Sequence, residues 1–257
     1  MFKGFYNLTS GMITQGRVLD VISNNMTNVS TPGYKSDRLP VSTFEEVVWN
    51  RVGNMDREYR RLGEESWITM PSRIYTDQAF GAYDQTDLPL DFTIQGEGWF
   101  SVLSQAGLEE GGEERRVYTR NGNFALDGEG YLSLPGQGRV LSAYEEPLQL
   151  STDAINVDYY GRIFADTGAY LGRLGVYVFP EDAELEKDNT GMFNTEAQPE
   201  SVNATILQGM LERSNVDWVR EMSLMMSTQR AYQSAVEVIK IYDEAIEKAS
   251  QDVGRLL

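Results

Sequence analysis

The sequence predicts an α+β fold, with N- and C-terminal helices pairing in a coiled-coil-like layer and a central antiparallel β domain. Three observations predict it. Both ends carry apolar stripes at heptad spacing. The middle loses that period and fills with short β-branched and aromatic runs between turn residues. The charge is also uneven. The 257 residues include 22 basic and 39 acidic ones, a formal net charge of -17. Residues 1–63 hold 8 basic and 6 acidic residues, 64–214 hold 9 and 26, and 215–257 hold 5 and 7. Near-neutral ends can pack against copies of themselves with little repulsion, whereas an acidic middle suits a solvated surface.

The N-terminal helical domain spans 1–34. Phe5, Leu8, Met12, Gln15, Leu19, Ile22, Met26 and Val29 alternate by three and four, and only Gln15 is polar. Thr31-Pro32-Gly33 ends the helix, because Pro32 cannot continue it and Gly33 tolerates a positive φ. Residues 35–72 hold Phe44, Val47, Val48 and Trp49, then Arg51, Arg57, Arg60 and Arg61. They read as an extended connector, with a hairpin as the other form open to them.

The central β domain spans 73–205. Phe92-Thr93-Ile94, Trp99 to Leu103, Arg116 to Thr119, Ile155 to Val157, Arg162 to Phe164 and Leu174 to Phe179 are strand-like. Asn121-Gly122 predicts a type I′ hairpin turn, and Asp127-Gly128-Glu129-Gly130 a second turn before Tyr131. No parallel βαβ pattern is visible. The C-terminal helical domain spans 206–257. Tyr232, Ala235, Ile239, Tyr242, Ile246, Ala249, Val253 and Leu256 form a stripe without a polar exception, and Val219, Met222 and Met226 a displaced one. Ser214 or Asn215 is the predicted N-cap, with Asp217 in the first turn. A helix from there to the end would be about 60 Å long at 1.5 Å per residue.

Composition restricts the chemistry. There is no cysteine and no histidine, which removes disulfides, thiolate sites, His-based triads and zinc sites. The acidity argues against nucleic acid and anionic membrane surfaces as partners. No apolar run suffices to span a bilayer, and MFKGFYNLTSGMITQG has no signal-peptide core. The glycine pairs Gly96/Gly98, Gly128/Gly130 and Gly136/Gly138 read as turn glycines, since none opens a phosphate loop. Two other readings remain open. A carboxylate pair could hydrolyse cell-wall glycan without histidine. Glu109-Glu110-Gly111-Gly112-Glu113-Glu114 could make an acidic extracellular module that binds calcium, although it lacks calcium-loop spacing and reads as a solvated loop tip. The Arg120-Asn121-Gly122 turn shows no companion group. Neither a cofactor nor a resident metal is expected.

Two segments point to a family. LDVISNNMTNVSTPGYKSD, Leu19 to Asp37, resembles the signature of the flagellar basal-body rod and hook proteins, with Asn24, Asn25, Asn28, Thr31, Gly33, Tyr34 and Lys35 at its marked places. SNVDWVREMSLMMSTQRAYQSAVEVI, Ser214 to Ile239, resembles the matching closing segment through Ser214-Asn215-Val216, Glu221-Met222 and Gln229-Arg230-Ala231-Tyr232. LDFTIQGEGWFSV, YTRNGNFALDGEGYL and VDYYGRIFAD are similar to the family's β domain. The resemblance implies a structural subunit, not an enzyme, that assembles helically into the rod of the flagellar basal body. The rod would transmit torque to the hook and conduct exported subunits. Length and a single middle domain fit the rod members, distal or proximal, better than the hook protein.

The implied partners are copies of itself, other rod and hook proteins, the flagellar type III export apparatus and surrounding ring proteins. The termini would order on assembly. Asn24, Asn25 and Asn28 would end the first helix through side-chain bonds to backbone. Asn215 would open the last helix, and Gln229, Arg230 and Tyr232 would lie at contacts between subunits. Leu8, Met12, Leu19, Ile22, Ile239, Tyr242 and Ile246 complete the expected assembly interface.

Overall fold

The structure, a computed structural model, describes residues 2–43, 47–52, 59–65, 69–104, 115–150, 152–180, 183–188, 190–195 and 197–254. The chain divides into two compact units. Unit 1 comprises Met1–Thr27, Asp37–Asp77 and Asp217–Leu257, and unit 2 comprises Asn28–Ser36 and Gln78–Val216. Unit 1 carries 13 basic and 16 acidic residues and unit 2 carries 9 and 23, so most of the acid resides in unit 2.

Unit 1 contains helix α1, Phe2–Thr27, and helix α2, Trp218–Gly254. At 1.5 Å per residue, the 37 residues of α2 extend about 55 Å. The two helices lie antiparallel: a Cβ on Gly4 would meet the Tyr242 ring, and one on Gly16 would meet Tyr232. The N-cap of α2 is Asp217, not Ser214 or Asn215. Its Oδ1 accepts from the backbone N–H groups of Val219 at 3.1 Å and Arg220 at 3.2 Å, two donors the first turn leaves unpaired. The intervening segment folds back on itself. Asp37–Arg38 pairs with Tyr75–Thr76, Val41–Thr43 with Thr69–Pro71, and Val47–Val52 with Tyr59–Glu65, all antiparallel and nested as one long hairpin arm.

Unit 2 is built on a nine-stranded antiparallel sheet centred on Trp99–Ser104 and Arg115–Thr119. Neighbouring residues on a strand point to opposite faces, and four dipeptides use this. Phe100, Val117, Val176 and Met192 enter the main core, while their neighbours Trp99, Tyr118, Tyr177 and Phe193 form an aromatic cluster on the other face. Trp99 and Phe193 meet at a tilt of 55° with ring centres 4.5 Å apart, and Tyr118 meets Phe179 edge-on at 4.8 Å. A second, three-stranded sheet, Ile155–Val157, Arg162–Ala165 and Tyr170–Arg173, adds Ile155 and Ile163 to the main core. Before α2 the chain makes two more strands. Thr205–Gln208 pairs with Phe92–Gln95, and Met210–Glu212 with Tyr83–Gln85.

Asn121-Gly122 is not a hairpin turn. Arg115–Thr119 pairs with Trp99–Ser104, while Ala125–Leu126 pairs with Leu132–Leu134. Gly122 is there because a Cβ would sit 1.8 Å from the Phe92 carbonyl oxygen, too close for any side chain. Three of the hairpin turns share a different pattern. In Asp127–Tyr131, Asp158–Arg162 and Asp188–Met192, the aspartate Oδ1 accepts from the N–H groups two and four residues on. The fourth residue is a glycine at φ +83, +76 or +82. The side chain thus replaces the partner that the turning backbone cannot supply.

Backbone N–H donation from Tyr131 and Glu129, with Arg139 alongside, lowers the carboxyl pKa of Asp127. Burial pushes the Asp158 carboxyl up, but Arg162 and the turn N–H groups outweigh it and leave it lowered. A lowered folded pKa stabilises above the unfolded carboxylate range and is lost as pH falls through the folded value. The double substitution Asp127→Asn and Asp158→Asn keeps the Oδ1 acceptor of each turn but removes the charge and the Oδ2 acceptor that faces Arg139 or Arg162. We expect a lower Tm than wild type at pH 7, with the gap closing as both proteins are acidified. A gap independent of pH, measured by thermal melts, would show that charge contributes nothing.

Candidate assembly site

Heptad stripes on both terminal helices make unit 1 the candidate for assembly. On α1, Leu8, Met12 and Leu19 are half-buried and Ile22 is buried. On α2, Tyr232, Ile239 and Tyr242 are half-buried, and Tyr232 and Tyr242 lie against the backbone of α1. Ile246 is exposed, as are Gln229 and Arg230. The displaced stripe Val219, Met222 and Met226 is exposed as well, Val219 to 72%. Spacing alone missed Thr14 and Thr228, both buried despite their hydroxyls.

The asparagines at the end of α1 do separate jobs. Asn25 is buried, donates from Nδ2 to the Asp37 carbonyl at 2.8 Å and accepts from the Asp37 N–H at 2.9 Å. It therefore matches both backbone groups of a residue twelve positions later, much as a strand neighbour would. Asn28 accepts from the Thr31 hydroxyl at 3.1 Å, while the Thr31 N–H closes the turn on the Asn28 carbonyl at 3.2 Å. Asn24 is exposed. Asn215 does not open α2. Its Oδ1 accepts from the Ser36 N–H at 2.7 Å, and its Nδ2 donates to the Ala79 carbonyl at 3.1 Å.

Inside unit 2, the segment Gly33–Ser36 is buried in full. The Gly33 N–H donates to the Glu212 carbonyl at 2.7 Å. Its φ is +67, and a Cβ would lie 2.3 Å from the Arg120 carbonyl carbon, so conformation and space both demand glycine. Two residues on, Lys35 is 1% exposed and pairs through Nζ with Glu212 Oε1 at 2.6 Å, Glu212 being equally buried. Arg120 pairs with Glu212 Oε2 at 3.3 Å. The Arg120-Asn121-Gly122 turn therefore has a companion carboxylate, 92 residues away in sequence.

One carboxylate between two cations leaves an excess positive charge, and backbone carbonyls offset it. Lys35 Nζ donates to the Ala79 carbonyl at 3.0 Å, and Arg120 donates to those of Gly96 at 2.6 Å and Ile94 at 3.4 Å. The Gly81 N–H donates to Glu212 Oε1 at 3.1 Å. Burial pushes the Arg120 guanidinium pKa down, against an upward pull from Glu212. The Phe80 ring lies 5.3 Å from the Lys35 ammonium and 5.0 Å from the Arg120 guanidinium, within cation–π range of both. At the far side of the segment, Lys187 donates to the Lys35 carbonyl at 2.7 Å and sits 3.6 Å over the Tyr34 ring. Sequence spacing could not signal this cluster: Lys35 stands in the N-terminal signature, but nothing in the sequence pairs it with Arg120 or Glu212.

Neither alternative chemistry gains a site among the described residues. Among the described residues no group of three or more Asp or Glu is placed to hold a metal ion. Glu109 to Glu114 lie outside the described residues. Among the described residues nothing singles out a carboxylate pair for glycan hydrolysis.

Two variants test the cluster. Glu212→Gln leaves two buried cations without a counter-charge and is expected to cost about 3–5 kcal/mol. Lys35→Met keeps the Glu212–Arg120 pair and is expected to cost clearly less. Equal losses in denaturant unfolding would show that charge balance is not the controlling term. Gly33→Ala is expected to destabilise by at least about 2 kcal/mol. Gly128→Ala, with open space and an ordinary φ, is expected to be near neutral.

Residues 5–35 match the family described as "Flagella basal body rod protein". Residues 93–165 match "Flagellar hook protein FlgE/F/G D1 domain", and residues 207–252 match "Flagellar basal body rod FlgEFG protein C-terminal". The three matches cover α1 with the Gly33–Lys35 turn, the central strands of unit 2, and Glu212 with most of α2. A Bacillus subtilis flagellar hook-basal body complex protein FlhO is 23% identical over 282 residues, covering 100% of both chains. The Bacillus subtilis flagellar basal-body rod protein FlgG is 28% identical over 274 residues, covering 96% of this chain and 98% of that one. The Escherichia coli rod protein FlgF is 28% identical over 248 residues, covering 90% of each. Three segments of one family in order along the chain, and relatives aligned over nearly its whole length, show that the chain belongs to the flagellar basal-body rod protein family.

Proposed function

We propose that this protein is a structural subunit of the rod of the bacterial flagellar basal body, without enzymatic activity, that assembles with copies of itself and with other rod and hook proteins. The observation that carries the reading is the antiparallel meeting of α1 and α2, because these are the two terminal segments that match the rod family. A protein whose work is assembly needs surfaces rather than reactive groups, and the residue types that usually carry catalysis, His and Cys, are missing.

The finer parts of the proposal follow. The helices pair in a coiled-coil-like layer through Leu8, Met12, Leu19 and Ile22 on α1 and Tyr232, Ile239, Tyr242 and Ile246 on α2. This layer transmits torque to the hook and lines the path of exported subunits. Asn24, Asn25 and Asn28 set the exit of α1, Asn215 ties the segment before α2 to Ser36, and Gln229 and Arg230 reach neighbouring subunits. The flagellar type III apparatus exports the chain, and ring proteins surround the finished rod. The near-neutral balance of unit 1 favours close packing of copies, and the acid of unit 2 keeps their other surfaces apart and hydrated.

Electron microscopy of hook-basal bodies from a strain lacking the gene tests the reading. We expect a truncated or missing rod and lost motility, and the point of truncation separates a proximal from a distal position. Complete basal bodies with normal swimming would refute the structural role. Two truncations extend the test. Deleting residues 2–27 is expected to abolish incorporation while unit 2 still unfolds cooperatively. Deleting residues 2–36 also removes Gly33 and Lys35 and is expected to destabilise unit 2, read by loss of near-ultraviolet circular dichroism.

A further inference from the structure

Three side chains at one point in unit 2 are the three that an amide-forming reaction needs. Lys35 is an amine, Asn215 a carboxamide and Glu212 a carboxylate that can carry protons between them. Lys35 and Glu212 are each 1% exposed, with Nζ 2.6 Å from Oε1. Lys35 Nζ and Asn215 Nδ2 donate to the same oxygen, the Ala79 carbonyl, at 3.0 and 3.1 Å. Amine and amide therefore stand on either side of a single atom. The Asn215 N–H donates to the Tyr34 carbonyl at 3.3 Å, which holds the backbone of the asparagine beside the residue that precedes the lysine. Glu212 is fixed at both oxygens, Oε1 by the Gly81 N–H at 3.1 Å and Oε2 by Arg120 at 3.3 Å. The Phe80 ring flanks the amine at 5.3 Å.

We propose that Lys35 and Asn215 join in an intramolecular isopeptide bond from Nζ to Cγ, with Glu212 as the proton carrier. The inference goes beyond the assembly reading and stands without it. Nζ passes a proton to Glu212 and attacks Asn215 Cγ. The hydrogen bonds shared at Ala79 give way to an approach of about 3–3.5 Å. Oδ1, which gains negative charge, already accepts from the Ser36 N–H at 2.7 Å, the placement of an oxyanion donor. Nζ gives up two protons in all, and both reach Nδ2 by way of Glu212. The Cγ–Nδ2 bond breaks, ammonium leaves, and Glu212 ends ionised as it began. Nothing is oxidised or reduced, and no co-reactant is required. Asn215 is half-buried, so the ammonium has a short way to water. Charge gives the reaction its direction. Lys35 and Arg120 are two buried cations on one carboxylate, and a neutral amide at Lys35 removes their repulsion while Arg120 keeps Glu212. The bond also closes most of unit 2 into one covalent loop, the constraint a disulfide supplies elsewhere, in a chain that has no cysteine.

Mass spectrometry of the purified full-length chain, denatured only for the measurement, reads the bond. Wild type is expected to weigh one ammonia less than its sequence. Trypsin is expected to leave Val18–Arg38 joined to Ser214–Arg220, because an acylated Lys35 offers no cleavage site. Asn215→Ala and Lys35→Arg are expected at their full sequence masses and without the joined pair. As a second measurement, wild type is expected to run faster than Lys35→Arg on a denaturing gel, since a chain closed into a loop stays more compact. A wild-type mass equal to that of the sequence would overturn the inference. So would a missing ammonia without the joined pair, the mark of amide loss at a site such as Asn121-Gly122. Lys35 joined to Glu212 with loss of water would overturn it as well.

Discussion

The pairing of one buried carboxylate, Glu212, with two buried cations, Lys35 and Arg120, is the constraint on which much of unit 2 depends. Removing three charges from water is costly, and the cost is met only if each finds partners. The carbonyls of Ala79, Ile94 and Gly96 and the N–H of Gly81 supply them, which fixes two backbone segments, 79–81 and 94–96, around one point. Gly33 must then pass against the Arg120 backbone, where only glycine fits. Asn215, next to the last residue of unit 2, is bonded both to Ser36, where the chain first leaves that unit, and to Ala79, where it has just returned. A family signature near the N-terminus thus has a physical meaning, since Lys35 completes the charge of a residue 177 positions later.

Around that point the sheet works by strict alternation. One face gathers aliphatic and phenyl side chains into the main core, and the other gathers Trp99, Tyr118, Tyr177 and Phe193. Burial of such side chains stabilises by roughly 1.5–3 kcal/mol each, so the core outweighs the ionic cluster in magnitude. The cluster contributes direction rather than magnitude, because its charges are satisfied only with segments 79–81 and 94–96 in place. The aspartate-led turns contribute in the same local way, each closing a hairpin with its own side chain.

The two units divide the physics of an assembling subunit. Unit 2 holds most of the net charge and a self-contained core, which suits a folded body that stays dispersed in water. Unit 1 holds long helices with more apolar surface than they cover in one chain, α2 most of all. A 37-residue helix against a 26-residue one leaves surface for further helices. Assembly needs this incompleteness, because a subunit that satisfied every stripe internally would have nothing to offer a neighbour.

The sequence by itself determined the α+β class, both terminal helices, the antiparallel β middle and the family, because period, turn residues and short motifs are local properties. Asp127 to Gly130 was legible as a turn for the same reason. Asn121-Gly122 misled because glycine serves close approach as readily as turning, and only the position of Phe92 distinguishes the two. The tertiary structure alone decided that Asp217, not Asn215, caps α2, since capping depends on which oxygen reaches the free N–H groups. It alone brought Lys35, Arg120 and Glu212 together, and it alone separated the two stripes of α2 into one against α1 and one in water. Contacts across 92 and 177 residues leave no periodic trace in a sequence, because they are set by how the elements pack rather than by how each one forms.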